Sequence, residues 1–199
     1  GPYAHLKEGL IAHYTFNGNP NDESGNSKAS EIAGATLTTD RNGQKDGAYE
    51  FLTGGSYFRI KNTKQIKGIS LWLNAYAKQL GKGESNGHYL TDWRTDNGGS
   101  GYVHTDPDWF KGEYAKFYLD GEIIDPKEVT IPRDKWIHVY MEFTDGFVKE
   151  HSELPASMLT LMNNFGQGEG LNGKLDEVRL YDHALSAKEV QEQYQDEKP

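Results

Sequence analysis

Hydrophobic and polar residues alternate with a period of two along most of this sequence. The alternation is clearest over residues 10–16, 69–75 and 136–143. In the last stretch one phase is apolar and the other polar or aromatic: Ile137, Val139, Met141 and Phe143 against Trp136, His138, Tyr140 and Glu142. Because successive side chains of a strand point to opposite faces of its sheet, this pattern predicts antiparallel strands with one face on the core.

Tight turns separate the predicted strands. They are marked by dipeptides that favour a left-handed backbone: Asn17-Gly18, Asn42-Gly43, Asp46-Gly47, Asp120-Gly121, Asp145-Gly146 and Asn172-Gly173. Further strands are predicted near residues 47–52, 56–61, 88–93, 114–119, 157–162 and 173–182. Many short strands at this spacing, with no internal repeat or heptad, predict a β-sandwich.

One helix is predicted near residues 186–195. Ser186 and Glu189 form a capping-box pattern, and Val190 and Tyr194 lie four residues apart, so both face the sandwich. The predicted fold class is therefore all-β, an antiparallel β-sandwich (jelly roll) with one short C-terminal helix.

The chain is long enough for one domain with its own core. All-β sandwiches of about 200 residues are commonly undivided, and residues 3–195 are predicted to form a single domain. Residues 1–2 resemble the remnant of a cleaved tag, and residues 196–199 are predicted to be a frayed tail or linker. The sequence is therefore interpreted as one module of a larger multidomain or fibre protein.

Composition narrows the range of partners. The net charge of −9 argues against a nucleic acid partner, because phosphate binding needs a basic surface. No apolar stretch approaches the roughly 20 residues of a membrane span, so membrane insertion is not expected. Mean hydropathy is low at −0.80, and the 12 Tyr, 8 Phe and 4 Trp are expected to fill much of the core. The absence of cysteine does not decide the compartment.

Four segments resemble the laminin-G-like, concanavalin A-like jelly-roll domains. Residues 9–26 (GLIAHYTFNGNPNDESGN) are similar to the opening of that family, and residues 173–189 (GKLDEVRLYDHALSAKE) to its ending. Residues 69–74 (ISLWLN) and 135–139 (KWIHV) match two central strands in the same order. The resemblance implies the sandwich fold, but it leaves the ligand open because the family serves many ligands.

One loop is rich in oxygen ligands. Asparagine, aspartate and serine recur within ten residues: Asn17, Asn19, Asn21, Asp22, Ser24 and Asn26. Calcium takes six to eight oxygens from carboxylates, amides and backbone carbonyls. The family resemblance implies a structural calcium near this loop, completed by the acidic pair Asp176 and Glu177, and the predicted metal ligands are Asn17, Asp22, Asn26 and Asp176. The alternative is that the loop residues are simply turn formers.

The acidic pair also interrupts the pattern of the last strand. Leu175 and Val178 both look core-facing, although they are three residues apart. This slip in the alternation predicts a β-bulge at Asp176 and Glu177, which would re-aim one carboxylate.

Several rings lie on the phase opposite the predicted core. Trp72, His138 and Tyr140 are expected to line a groove on an outward sheet face, where flat rings stack on sugars. The alternative is that the two faces are assigned in reverse and these side chains are buried.

Residues 79–113 and 145–157 follow no pattern of the family. The first segment carries four further candidate ligand contacts: Trp93, Arg94, Asp96 and Trp109. Exposed aromatics beside arginine and aspartate are typical of a binding rim. The alternative is a long loop held down by its own tryptophans.

The sequence lacks an arrangement typical of an enzyme. Retaining glycosidases need two carboxylates roughly 5–5.5 Å apart, and neither Glu142 with Asp145 nor Asp176 with Glu177 has suitable spacing. The isolated histidines have no zinc-site spacing.

The predicted function is therefore a non-catalytic, lectin-like module of a secreted or cell-surface adhesion protein. Its predicted ligand is a glycan or a cell-surface glycoconjugate, and its predicted cofactor is a structural calcium ion. The alternatives are a protein- or peptide-binding domain, a structural spacer and, with less support, a glycoside hydrolase or polysaccharide lyase.

Overall fold

The structure is a computed structural model that describes residues 4–52, 54–61, 63, 66–80, 88–93, 101–105, 108–144, 158–166 and 168–199. These residues include a short 3-10 turn at Ala4–Lys7 and a C-terminal helix, α1 (Ala187–Glu197). The strands are β1 (Leu10–Tyr14), β2 (Ser30–Ala33), β3 (Thr36–Thr38), β4 (Ala48–Phe51), β5 (Tyr57–Lys61), β6 (Gly68–Ala75), β7 (His88–Asp92), β8 (Tyr102–Thr105), β9 (Phe110–Lys111), β10 (Ala115–Leu119), β11 (Glu122–Ile124), β12 (Ile137–Phe143), β13 (Met158–Leu161) and β14 (Gly173–Tyr181).

The described strands form two antiparallel sheets that pack as a sandwich. The eight-stranded sheet has the order β11-β10-β12-β6-β14-β4-β3, and β1 also pairs with β14. The six-stranded sheet has the order β2-β5-β13-β7-β8-β9. The ladders between these strands are antiparallel. The predicted fold class is therefore confirmed.

Aromatic rings fill much of the space between the sheets. Phe16 packs edge-on against Tyr49 and Phe58, with ring centroids 5.0 and 5.1 Å apart. Phe110 stacks on Phe117 at 5.5 Å. All five side chains are buried. Large rings each bury a wide apolar area, which is how a chain of low mean hydropathy builds a core.

Five short strands were missed by the sequence analysis: β2, β3, β8, β9 and β11. They are two to four residues long, and four of them lie at the ends of their sheets. A segment this short does not show enough alternation to be distinguished from a loop.

Helix α1 packs on the outer face of the eight-stranded sheet. Both hydrogen bonds of the predicted capping box are present between Ser186 and Glu189. Val190 is fully buried in an apolar cluster that joins the helix to the sheet: Leu6, Tyr118, Tyr140, Tyr181 and Leu185. This face of the sheet is therefore buried as well, in a second hydrophobic cluster.

The helix extends further than predicted, through Glu197. Arg179 Nη1 donates to both carboxylate oxygens of Glu197 at 2.8 and 2.9 Å, and Arg41 Nε donates to the Glu197 carbonyl at 2.9 Å. Cations stabilise the C-terminus of a helix. Asp196 and Glu197, which were predicted to lie in a tail or linker, therefore belong to the helix, while residues 1–2 lie outside the described residues.

Candidate functional site

Helix α1 covers the rings that were expected to line a groove. Trp72, His138 and Tyr140 are 1%, 0% and 0% exposed. The Trp72 ring centroid lies 5.8 Å from that of Tyr194 in the helix, and the Tyr140 hydroxyl accepts a hydrogen bond from the Leu185 backbone N–H at 2.8 Å. The expected outward orientation is thus corrected, because the helix packs on this phase of the strands. A direct role of the three residues in ligand binding stays a prediction.

A buried polar network lies under the helix. Ser70 Oγ is 3.3 Å from His138 Nε2 and donates to Gln193 Oε1 at 2.5 Å. Gln193 Nε2 in turn donates to the Tyr181 hydroxyl at 2.9 Å. Burial, together with the charge of Arg179, lowers the pKa of His138 to about 3. The imidazole is therefore neutral at physiological pH.

The candidate binding residues of the 79–113 segment differ in how exposed they are. Trp93 is 3% exposed, and its indole N–H donates to Thr63 Oγ1 at 3.1 Å, which agrees with the structural alternative for this side chain. Trp109 is 36% exposed. Arg94 and Asp96 lie outside the described residues. Of the two candidates that the structure describes, Trp93 is buried and Trp109 lies at the surface.

The outer face of the six-stranded sheet carries a straight row of polar side chains. Cross-strand pairing places one residue from each of β2, β5, β13, β7 and β8 opposite the next: Glu31, Arg59, Thr160, Asp92 and Tyr102. The adjacent row includes Phe58 and Leu161, which face the core. Because paired residues of antiparallel strands share a face, the five polar side chains lie on the side away from the core.

The segment around Phe165 forms hydrogen bonds with the side chains in the middle of this row. Arg59 Nε donates to Thr160 Oγ1 at 3.0 Å, and its Nη2 donates to the Phe165 carbonyl at 3.3 Å. Asp92 Oδ2 accepts the Phe165 N–H at 2.8 Å. The Arg59 guanidinium also lies 4.2 Å from the centroid of the Tyr57 ring. The middle of the row therefore holds the connection between β13 and β14.

One end of the row meets three stacked rings, Tyr89, Tyr102 and His104, of which Tyr89 and His104 are buried. Together with Trp109 at the neighbouring strand β9 they are here called the aromatic patch. The first three rings stack with centroids 5.1 to 5.5 Å apart and interplanar angles of 11 to 22°. Tyr102 is partly exposed, and Trp109 directly precedes β9, whose exposed Lys111 pairs with His104. Flat rings beside polar groups suit a ligand with one apolar face and several hydroxyls.

Asp22 organises the loop that follows β1. Its carboxylate accepts four hydrogen bonds at 2.8 to 2.9 Å, from the backbone N–H groups of His13, Ser24 and Lys28 and from the Ser24 hydroxyl. Partial burial opposes ionisation, but these bonds hold the pKa of Asp22 below its usual value. Asn26 Nδ2 donates to two backbone carbonyls of β1 at 2.9 and 3.0 Å. Both residues behave as the turn-former alternative describes.

We expect Asp22→Ala to lower the free energy of unfolding by about 2 kcal/mol, because three backbone N–H groups lose a charged acceptor. The loss should be equal in calcium and in EDTA, as measured by urea unfolding. Asn19→Ala is the matched control, since Asn19 accepts an exposed hydrogen bond from Asn21 in the same loop. A loss confined to calcium-containing buffer would instead make Asp22 a metal ligand.

The acidic pair of the last strand lies at a β-bulge, as predicted. The pairing of β14 with β6 shifts register between Asp176 and Arg179, and Glu177 has a φ of +52°. The bulge gives the two carboxylates different partners. Asp176 Oδ2 accepts from Arg41 Nη1 at 2.5 Å, and Glu177 Oε2 lies 2.5 Å from His13 Nε2. Burial raises the pKa of Asp176 to about 7 in spite of the adjacent Arg41.

A polar cleft of about 590 Å³ lies between this bulge and two loops. It is lined by Asn17 and Gly18 after β1, by residues of the 40–47 loop between β3 and β4, and by Glu177. Asn17 and Glu177 therefore line the same cleft.

Two of the four predicted calcium ligands, Asp22 and Asp176, have other partners in the structure. Asp22 uses both carboxylate oxygens within its own loop, and Asp176 is paired with Arg41. Within the described ranges, no group of three or more His, Cys, Asp or Glu side chains is placed to hold a metal ion. Calcium binding itself stays a prediction.

Sequence reasoning did not single out the aromatic patch as a unit or Arg41. Tyr89 falls in the predicted strand 88–93, but β8 was not predicted, and the rings meet because these two strands pair. Arg41 and its partner Asp176 are 135 residues apart in sequence. Neither arrangement leaves a local signal, since both depend on strand pairing.

No protein-family model matches the sequence, and no curated protein matches it either. Solved structures resemble its fold. Domain 4 of AbnA, an extracellular GH43 arabinanase from Geobacillus stearothermophilus, was solved in complex with arabinotriose. It is 18% identical with a TM-score of 0.57, and the match covers 92% of this chain and 97% of that domain.

Two larger proteins contain a similar sandwich. A mutant of Trypanosoma rangeli sialidase that displays trans-sialidase activity is 13% identical with a TM-score of 0.64, over 94% of this chain and 33% of that one. The binding domain of botulinum neurotoxin serotype D is 10% identical with a TM-score of 0.54, over 98% and 53%. These likenesses establish the β-sandwich fold, in agreement with the jelly roll that the family resemblance implies.

None of the helices in the described part of the chain is long and apolar enough to span a lipid bilayer.

Proposed function

We propose that this chain is a non-catalytic module that binds a neutral glycan at the aromatic patch. The observation that carries the proposal is the stack of Tyr89, Tyr102 and His104, in which Tyr102 is partly exposed, together with the exposed Trp109 that precedes the neighbouring strand β9. Aromatic rings pack against the C–H faces of sugars, while polar groups such as the adjacent Lys111 bond sugar hydroxyls. The net charge of −9 is compatible with an uncharged ligand.

The similar domains support a role in binding. Domain 4 of the arabinanase holds arabinotriose, and the serotype D neurotoxin domain is a binding domain. By analogy we propose that this module belongs to a larger secreted or cell-surface protein and recognises a glycan or glycoconjugate. The alternative of a protein ligand is a distinct outcome of the test below.

Three of the acids considered for a catalytic pair have other partners, and the fourth, Asp145, lies outside the described residues. Glu142 pairs with Lys116 at 3.5 Å, Asp176 with Arg41 at 2.5 Å, and Glu177 lies against His13. Asp92, which is close to the aromatic patch, is fully buried and accepts the Phe165 N–H. These partners support a binding role over glycoside hydrolysis, which needs an accessible acid and a second carboxylate.

A glycan array followed by calorimetry with the best glycan tests the proposal. We expect Trp109→Ala to weaken that binding at least about tenfold without changing the midpoint of thermal unfolding, because exposed tryptophans at binding sites carry much of the affinity. Leu37→Ala is the matched control, since Leu37 is also 36% exposed but lies on β3 of the other sheet.

Equal affinities of the two variants would move the site away from the aromatic patch. A blank array with a folded sample would overturn the glycan proposal. Binding of that sample to protease-sensitive sites on cells would then support the protein ligand.

A further inference from the structure

Arg41 lies beside the acidic pair, where the family resemblance implies calcium. Its Nη1 donates to Asp176 Oδ2 at 2.5 Å, and its Nε donates to the Glu197 carbonyl at the end of helix α1 at 2.9 Å. The guanidinium also lies over the Trp72 ring, 5.2 Å from the centroid. The side chains of Arg41 and Asp176 are 8% and 1% exposed. The guanidinium is therefore an internal cation.

We propose that Arg41 is the resident counter-ion of Asp176 and takes the place of a structural metal ion. The protein would then fold and be stable without calcium. A carboxylate buried without a compensating charge is strongly unfavourable. Arg41 supplies that charge, and its planar group of donors binds a carboxylate and a carbonyl at once.

Arg41 also makes a contact that joins the sheet to the helix. It bridges the β-bulge and the last turn of helix α1, and Arg179 forms a parallel bridge from Glu177 to the carboxylate of Glu197, at 3.6 and 2.8 Å. Two arginines thus fasten the end of the helix to the bulge. The guanidinium of Arg41 thus satisfies both the Asp176 carboxylate and the Glu197 carbonyl, two oxygens of the kinds that a calcium ion would otherwise bind.

The surroundings of Arg41 remain strongly acidic without it. Asp40 and Glu177 line the adjacent cleft and act on Asp176 through their charges. Among the described residues, Asp176 Oδ1 has no hydrogen-bond partner. Loss of the guanidinium would therefore leave a buried carboxylate facing other carboxylates, which is a setting that attracts a divalent cation.

The test compares wild type and Arg41→Ala by thermal unfolding in EDTA and in millimolar calcium. We expect the wild-type midpoint to be the same in both buffers. We expect Arg41→Ala to melt about 10 °C lower in EDTA and to recover at least half of that loss in calcium, since binding to the folded state alone is stabilising. Lys45→Ala is the matched control, because Lys45 lines the same cleft and also carries one positive charge.

A wild-type midpoint that falls in EDTA or rises in calcium would overturn the proposal, because a metal would then be needed beside Arg41. An Arg41→Ala variant that responds to calcium no more than Lys45→Ala would overturn it as well. Should Arg41→Ala fail to fold, terbium luminescence of the wild type decides the question. Terbium bound at the cleft, abolished by Asp176→Asn, would contradict the proposal, and no such signal would support it.

Discussion

Val190→Asp will destabilise the protein by at least about 4 kcal/mol or prevent it from folding, because it puts an unpaired carboxylate into a buried apolar cluster. Val190 is fully buried between helix α1 and the eight-stranded sheet. Gln191→Asp is the matched control, since the next residue along the helix is exposed, and its effect should stay within about 0.5 kcal/mol. Urea unfolding followed by tryptophan fluorescence measures both.

The comparison also bears on function. If Val190→Asp were as stable as Gln191→Asp, helix α1 would not pack on the sheet in solution, and Trp72, His138 and Tyr140 would again be available to line a groove. The expected difference would instead keep these rings in the interior. It would leave the outer face of the six-stranded sheet, with the aromatic patch, as the place to look for the ligand.

Acidification from pH 7 to pH 4 will cost about 3 kcal/mol of stability through His138 alone. The pKa of this buried imidazole is about 3 in the folded protein, against the ordinary 6.5. Between these two values the unfolded chain binds a proton that the folded protein excludes. His138 therefore does not destabilise the folded protein above pH 6.5. Below that value its destabilising effect grows as the pH falls toward 3.

The groups that face His138 explain why it stays neutral. Trp72 and Tyr194 pack around the ring, and Arg179 and Arg41 add positive charge nearby. The free energy of unfolding should be measured against pH for wild type and His138→Gln, since the acids of the protein titrate in both. We expect the variant to show a shallower slope between pH 6.5 and 4. Parallel curves, or an imidazole NMR signal that titrates near 6.5, would contradict the assigned role.

Much of the fold could be predicted from local pattern. The alternation over residues 136–143 separates core residues from the opposite phase correctly, because β12 is long enough to show the period of a strand. The capping box at Ser186 and the bulge at Asp176 and Glu177 were also predicted correctly. Each of these features depends on residues within a few positions of one another.

The candidate site was predicted less well, because its geometry depends on partners that are distant in sequence. Tyr89 and His104 stack because β7 pairs with β8, and Arg41 meets Asp176 across 135 residues. Trp109, which the sequence analysis had already named, is exposed next to β9.

The sequence by itself determined that this chain is an antiparallel sandwich, since period-two patterns and turn residues act through the backbone of a few neighbouring residues. Alternation identifies two faces of a strand but does not say what covers the second one. The tertiary structure decided that helix α1 covers this face of the eight-stranded sheet, and that an arginine lies beside the acidic pair. Both outcomes depend on which distant surfaces bury together, because packing free energy comes from contacts that no local window contains.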